Sequence, residues 1–410
     1  MKTQPLIVLS AGEASGDHYG AELITALRAI LPEARFTGLG GTAMEAAGQH
    51  RVIRAEDVAV MGITEILAHI PKILRSYNTL VKSIKQQRPD VAILIDFPDV
   101  NFRLAKHLKR MNVPVIWFVS PQLWAWKRSR LRWVQQRVST MLTIFPFEQP
   151  FYANRGVKAE FVGHPLAEQP LPTISREDYA AKHQLNPHKQ WIALLPGSRG
   201  GEINANLPAL VQAAKVLGDN YDYIIPVAPT VGPEHRDRMK ALAISASAHL
   251  VSDARAALLH SRAAVVASGT ATVQAAVIGT PFVVVYRVSN LTFRMAKALV
   301  KYPPEIPAQV DEHGNLPIAM VNLIARRRAV PELLQEQFTG PNVAATLKPL
   351  LANTPQREEQ IQALAEVRRR LLSPTERTAI ESLRDAVLEA LPLTCDNTHR
   401  RSASNRVTAG

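Results

Sequence analysis

Short apolar runs recur along the chain, each closing on a turn of small or acidic residues and followed by helical periodicity. In the first half the runs are Leu6–Leu9, Arg35–Leu39, Val91–Ile95, Val113–Val119, Ser139–Phe145 and Ala159–Gly163. In the second half they are Trp191–Leu195, Tyr221–Val227, His249–Ser252, Ala263–Ala267 and Phe282–Tyr286, the last sheet strand that the pattern predicts. Most are apolar throughout rather than alternating, as in strands buried on both faces of a parallel sheet. Helical patterns follow over Tyr19–Leu31, Val58–Lys85, from Arg103, from Glu202, from Thr272 and over Leu291–Val300. Two successive sets of alternating strands and helices predict an α/β protein of two Rossmann-like domains facing a cleft. Helix starts follow at Pro331, near Asn342, at Thr354-Pro355 and at Ser373-Pro374-Thr375-Glu376. The small and polar residues after about Leu393 predict a disordered tail.

One helical face breaks the expected polarity. Ile63, Ile66, Leu67, Ile70, Ile73 and Leu74 form an apolar stripe, with Pro71 as a break or kink. Such a stripe is either ordinary core or an apolar groove for acyl chains or a membrane surface.

The turns at the strand ends hold the candidate chemistry. LLPGSRGGEIN (194–204) is strand, glycine turn and helix start. Backbone N–H groups and a helix dipole would converge there, and Arg199 adds a guanidinium suited to phosphate oxygens. The alternative is a tight turn with an exposed arginine. Ser268-Gly269-Thr270, opening the next helix after Ala263–Ala267, is its natural partner. Two such turns in one half favour a diphosphate seat over either alone. In the first half, Glu13, Asp17 and His18 follow the first strand, as contacts to a sugar or as a capped helix start. Asp96-Phe97-Pro98-Asp99 ends the Val91–Ile95 strand, where open α/β sheets bind ligands. Its carboxylates serve either as general base and loop brace or as turn and cap residues. Trp124 and Trp126 precede Lys127, Arg128, Arg130 and Arg132, suiting a sugar phosphate, an anionic lipid surface or simply a buried tryptophan beside a solvated basic face. His164 lies in a proline-rich stretch that reads as an interdomain linker and is a candidate ligand contact.

Composition narrows the partners. The chain has 410 residues, 20% charged and 47% hydrophobic, enough for two full cores. Its formal charge of +13 favours anionic partners, yet no nucleic-acid-binding module is visible. A single cysteine, Cys395, rules out an internal disulfide framework and suits a reducing cytoplasm. No secretory signal or membrane-spanning run is apparent. No His/Cys cluster or D-x-D pattern at metal-ligand spacing accompanies the turns, so no essential metal and no cofactor are expected.

Several stretches together resemble the lipid-A-disaccharide synthases. They are SAGEASGDHYG (10–20), VMGITEIL (60–67), IDFPDVNFRLAK (95–106), VSPQLWAWK (119–127), FPFEQPFY (145–152), FVGHPL (161–166), LLPGSRGGEI (194–203), SGTATVQAA (268–276), LVKYP (299–303) and VPELLQE (330–336). They run in family order over nearly the whole chain. The resemblance implies a GT-B glycosyltransferase that joins UDP-2,3-diacylglucosamine to 2,3-diacylglucosamine 1-phosphate. The product would be the β(1→6) disaccharide 1-phosphate of lipid A, with UDP released. It also implies a cytoplasmic protein, peripheral on the Gram-negative inner membrane, and a homodimer.

By position, Asp99 matches the family's proposed general base, with Asp96 its close rival, and Asp90 matches a further family aspartate. Arg199 matches a phosphate-binding arginine, and Asn322 an asparagine of the nucleotide region. Ser198, Ser268, Gly269, Thr270 and Gln274 complete the expected UDP side, while Glu13, Ser15, Gly16 and Met61 form the acceptor side. Two departures stand out. Gln274 replaces a usual glutamate, and Pro304–Met320 looks inserted, with Val321 in place of the proline before Asn322. The expected organisation is an acceptor domain over 1–168, a UDP-sugar domain over 169–354, C-terminal helices over 355–392 that pack back, and the tail 393–410. The competing readings are another UDP-sugar enzyme of this fold, such as a UDP-N-acetylglucosamine 2-epimerase, or a non-catalytic basic protein that binds lipid phosphates.

Overall fold

The structure is a computed structural model that describes residues 4–59 and 63–392, without the side chains from 58 to 73. Met61, most of the apolar stripe and Cys395 therefore lie outside what is described.

The strands form two all-parallel sheets. The first holds β1 (Leu6–Ala11), β2 (Arg35–Gly40), β3 (Gln49–Arg54), β4 (Val91–Ile95), β5 (Val115–Phe118), β6 (Thr140–Thr143) and β7 (Ala159–Phe161). The second holds β8 (Gln190–Leu195), β9 (Tyr221–Pro226), β10 (Ala248–Val251), β11 (Ala263–Ala267), β12 (Phe282–Tyr286) and β13 (Glu332–Leu334). Their orders are β3-β2-β1-β4-β5-β6-β7 and β10-β9-β8-β11-β12-β13. Both reverse direction once, between β1 and β4 and between β8 and β11. Open parallel sheets bind ligands outside the carboxyl ends of the strands at such a point.

The central strands are fully buried, which is why their apolar runs were legible. β3 was not foreseen: it is an edge strand of mixed burial, QHRVIR, and carries no apolar run. β13 also extends the sheet beyond Phe282–Tyr286. It replaces the helix expected at Pro331, because Val284 N donates to Pro331 O at 2.8 Å and pairing with β12 overrides local helix propensity. The first helix starts at Ala14 rather than Tyr19, so Ser15 and Gly16 belong to its first turn. Pro98 is the first residue of the Pro98–Arg110 helix, not a turn residue. One helix runs from Ile63 to Gln87, so Pro71 does not end it. The last helix opens at Ala379 on a capping box of Thr378 and Glu381, not at Ser373-Pro374.

The helix Pro355–Leu371 packs on the second sheet's helices, and Ala379–Ala390 returns to pack on the first half. Ala379 N donates to Glu168 Oε1 at 2.8 Å, pinning that return. The start of the apparent insertion and the residues just before it join the halves too. Glu305 pairs with Arg155 at 2.9 Å, and Tyr302 packs 5.8 Å from Trp124 between ring centres. Lys301 N donates to Ala125 O at 3.2 Å.

Candidate active site

The turn after β4 is braced from below. Asp96 and Phe97 both take left-handed backbone angles, φ 45° and 48°, which side chains other than glycine rarely adopt. Asn101, buried in the following helix, holds them: its Nδ2 donates to Asp96 O at 2.7 Å, and Ser10 Oγ donates to its Oδ1 at 2.6 Å. Gly12 leaves room for the Phe97 ring, since a Cβ there would stand 2.5 Å from it. Gly16 has little room as well: a Cβ there would crowd Ala11 and Ile95 at 3.2 and 3.3 Å.

Asp96 is mostly buried at the carboxyl end of β4. Burial, with the Glu13 carboxylate adding to it, pushes its pKa up to about 6. Asp99, in the first turn of the next helix, is three-quarters exposed and pairs with Arg130 at 2.8 Å. Asp90 is elsewhere. It lies at the amino end of β4, roughly 20 Å from Asp96 at ~3.3 Å per residue. Its Oδ2 accepts from Leu6 N at 2.8 Å, so it anchors β1 to β4. Asp17 is also drawn away from solvent, capping the short Thr42–Ala46 helix through Gly41, Ala43 and Met44 N–H groups. His18 is exposed and stands 3.3 Å from Glu22.

The second half presents its two turns side by side, because β8 and β11 are neighbours. Arg199 caps the Gly200–Leu217 helix and keeps its side chain 72% exposed. The N–H groups of Ser198 and Arg199 donate to Glu202 Oε2 at 3.1 and 3.4 Å. Part of the expected anion seat is therefore held by the chain's own carboxylate. His235 lies against Gly200, where any Cβ would collide with its ring. Beside this turn, Gly269 at φ 151° opens the Thr270–Ile278 helix. Gly269 and Thr270 are exposed, and Ser268 and Gln274 are half-buried. Arg199 Nη2 reaches 3.6 Å from Glu13 Oε1, so the two switch points meet across the cleft.

Asn322 departs from expectation. It is buried, donates to Val330 O and Glu332 Oε1 at 3.0 and 2.7 Å, and accepts from Val330 N at 2.9 Å. These bonds hold the Met320–Ala325 helix to β13 and leave no side-chain group facing a nucleotide. His164 is likewise structural: Leu166 N donates to its Nδ1 at 3.1 Å, and burial lowers its pKa to about 4.

Sequence reasoning missed two buried carboxylates. The Glu332 side chain is fully buried and accepts from Ile318 and Ala319 N–H groups. Glu148 accepts from Ser120 Oγ at 2.7 Å and Trp124 Nε1 at 3.1 Å, and burial pushes its pKa up to about 7. Trp124 is thus core, whereas Trp126 is 44% exposed under Lys127, whose Nζ sits 4.0 Å from its ring centre. A lone glutamate in a turn motif carries no sign of burial, so nothing in the sequence marked either. Among the described residues no three His, Cys, Asp or Glu side chains gather to hold a metal ion, and no helix is long and apolar enough to cross a membrane.

A family model described as lipid-A-disaccharide synthetase matches residues 7–387. The chain belongs to the lipid-A-disaccharide synthase family. It is 53% identical over 387 residues to the lipid-A-disaccharide synthase of Acidobacterium capsulatum, covering 91% of this chain and 94% of that one. It is 46% identical over 385 residues to the enzyme of Koribacter versatilis, covering 93% and 97%. Solved structures share the GT-B fold at low identity. The S. aureus MnaA–UDP co-structure aligns at TM-score 0.60 with 13% identity, over 94% of this chain and 98% of that one. The calicheamicin glycosyltransferase CalG4 aligns at 0.55 with 14% identity, over 95% and 98%. Epimerases and glycosyltransferases both use this fold, so the fold alone does not choose between them.

Proposed function

We propose that the protein joins UDP-2,3-diacylglucosamine to 2,3-diacylglucosamine 1-phosphate, forming the β(1→6) disaccharide 1-phosphate and UDP. Family membership supports the reaction. The observation that carries the site is the meeting of Arg199 and Glu13 across the cleft, within the turns that also hold Asp96 and the Ser268–Thr270 helix start.

The step is a single in-line displacement with inversion. The acceptor 6-oxygen bonds to the donor's anomeric carbon as the bond to the diphosphate breaks, and UDP leaves with the electron pair. Asp99 takes the hydroxyl proton, and Arg130 holds its carboxylate in place. The diphosphate displaces Glu13 and Glu202 from Arg199 and gathers the N–H groups at the two helix starts. Donors fixed before reaction stabilise the leaving charge without reorganisation. Asp96 is the second reading for the base, because a pKa of about 6 lies near the working range of a general base. Exchange of Arg199 for alanine tests the donor side: turnover and UDP affinity should fall together, and unchanged UDP affinity would contradict it.

The same reading puts the protein on the cytoplasmic face of the inner membrane as a homodimer. The helix Asn290–Leu299 supports the surface contact. It buries none of its residues, and Leu291, Met295 and Leu299 are 70%, 55% and 60% exposed along one face. Arg294 and Lys297 flank them, and from Arg287 to Pro304 the sequence holds no acid. Trp126 and Lys127 lie close by through the Lys301–Ala125 bond. Apolar side chains rimmed by cations fit an anionic bilayer surface. Flotation with anionic vesicles tests the contact, and light scattering in detergent tests the dimer.

A further inference from the structure

We propose that the groove beside Asp99 is the seat of the acceptor's phosphate. This rests on the glycosyl-transfer reading and extends it to a site for a phosphate monoester.

The groove is a cavity of about 360 Å³ between the Pro98–Arg110 helix and the segment 130–137. Asp99, Arg103 and Lys106 fall at i, i+4 and i+7, on one face of their helix. Arg130 and Arg137 form the opposite wall. Both lie over the Trp133 ring, at 5.6 and 5.0 Å from its centre, and Arg137 Nη1 also donates to Phe102 O at 3.0 Å. Four permanent cations thus line one groove, and Asp99 is the only acid among the described residues that line it. Among the described residues Arg130 alone of the four is paired with a carboxylate, that of Asp99. The Arg137 guanidinium and the His107 imidazole are both pushed down, by burial first and by neighbouring cations next. Tyr77 closes the end of the groove, and its buried hydroxyl has no hydrogen-bond partner among the described residues.

This is the chemistry of a dianion site. Fixed guanidinium groups grip phosphate oxygens with directed hydrogen bonds, and an ammonium and a hydroxyl add donors. The spacing also fits the acceptor. Arg103 stands one turn beyond Asp99, about 6 Å along the helix axis. A hexose can therefore present its hydroxymethyl oxygen to Asp99 while its anomeric phosphate reaches Arg103 and Lys106. A membrane lipid's phosphate headgroup has the same chemistry and is the competing source.

The test is calorimetry on the full-length protein in detergent, without donor. The wild type should bind 2,3-diacylglucosamine 1-phosphate on the order of 10- to 100-fold more tightly than the same lipid lacking phosphate. The double variant Arg103→Met/Lys106→Met should lose that preference. Both side chains are exposed, so the fold should hold. In turnover, its acceptor KM should rise by a similar factor while donor KM and UDP affinity stay unchanged. Lys109→Met, exposed on the same helix but outside the groove, should match the wild type. A double variant that keeps the phosphate preference overturns the proposal. So does one that keeps it but loses binding to vesicles containing phosphatidylglycerol, which would make the groove a headgroup site. Because the binding arm needs no turnover, a missing disaccharide product would count against the reaction and not against the seat.

Discussion

Arg199 Nη2 stands 3.6 Å from Glu13 Oε1, joining the switch point of one sheet to that of the other. Both side chains are largely exposed, and an exposed pair contributes little to stability. Its value lies in placement: a cation held at the cleft by a partner that an incoming diphosphate can replace. Arg199→Ala should therefore leave the thermal midpoint within about 2 °C of wild type. UDP affinity should drop on the order of 10- to 100-fold, read by calorimetry.

Asp96 and Asp99 divide by environment. If Asp99 takes the proton, Asp99→Asn should lose about 10²- to 10⁴-fold in kcat, while Asp96→Asn keeps a tenth or more. The reverse order would transfer the base role to Asp96.

Stability should report the Asp96 environment independently. Its folded pKa of about 6 stands above the ordinary 3.8, so the folded chain binds this proton more tightly than the unfolded one. That contribution is fully present below about pH 4 and is lost as pH rises through about 6. Asp96→Asn removes the loss and should gain up to about 3 kcal/mol at pH 8, falling to little at pH 4. Urea melts at the two pH values check it; an equal effect at both would contradict the buried carboxyl.

The frame was legible in the sequence because its central strands are buried on both faces and its turns break them with glycine and aspartate. Arg199, Asp96 and the Ser268–Thr270 turn could be placed at the cleft for that reason: a parallel strand's carboxyl end has one location. Asp90 could not be placed so. It precedes its strand, and only the register of β1 on β4 shows that its carboxylate meets Leu6 N–H. Asn322 misled for another reason: an amide reads alike whether it faces a ligand or, as here, closes on Val330 and Glu332. The helix at Pro331 failed because strand pairing with β12 is a long-range contact that local capping signals do not carry.

Asp90→Ala should act through the fold. Removing the acceptor for Leu6 N–H should cost about 1–2 kcal/mol, read from urea melts. Any loss of activity should then track the unfolded fraction, leaving KM for both substrates unchanged. A fully folded, inactive variant would contradict this role.

Glu148 holds the turn from which the basic segment springs. Glu148→Ala leaves Ser120 and Trp124 without their acceptor and should cost about 2–4 kcal/mol. Glu148→Gln keeps an acceptor and should recover most of that loss above pH 7, where the wild-type carboxyl is ionised against its pKa of about 7. Equal stability of the two variants would contradict a hydrogen-bonding role.

The central claim is the reaction itself. Purified full-length protein in detergent is mixed with UDP-2,3-diacylglucosamine and 2,3-diacylglucosamine 1-phosphate, and products are followed by mass spectrometry. The account predicts disaccharide 1-phosphate and UDP in equal amounts. UDP-sugar binding with epimerised donor, or with no disaccharide, would contradict it.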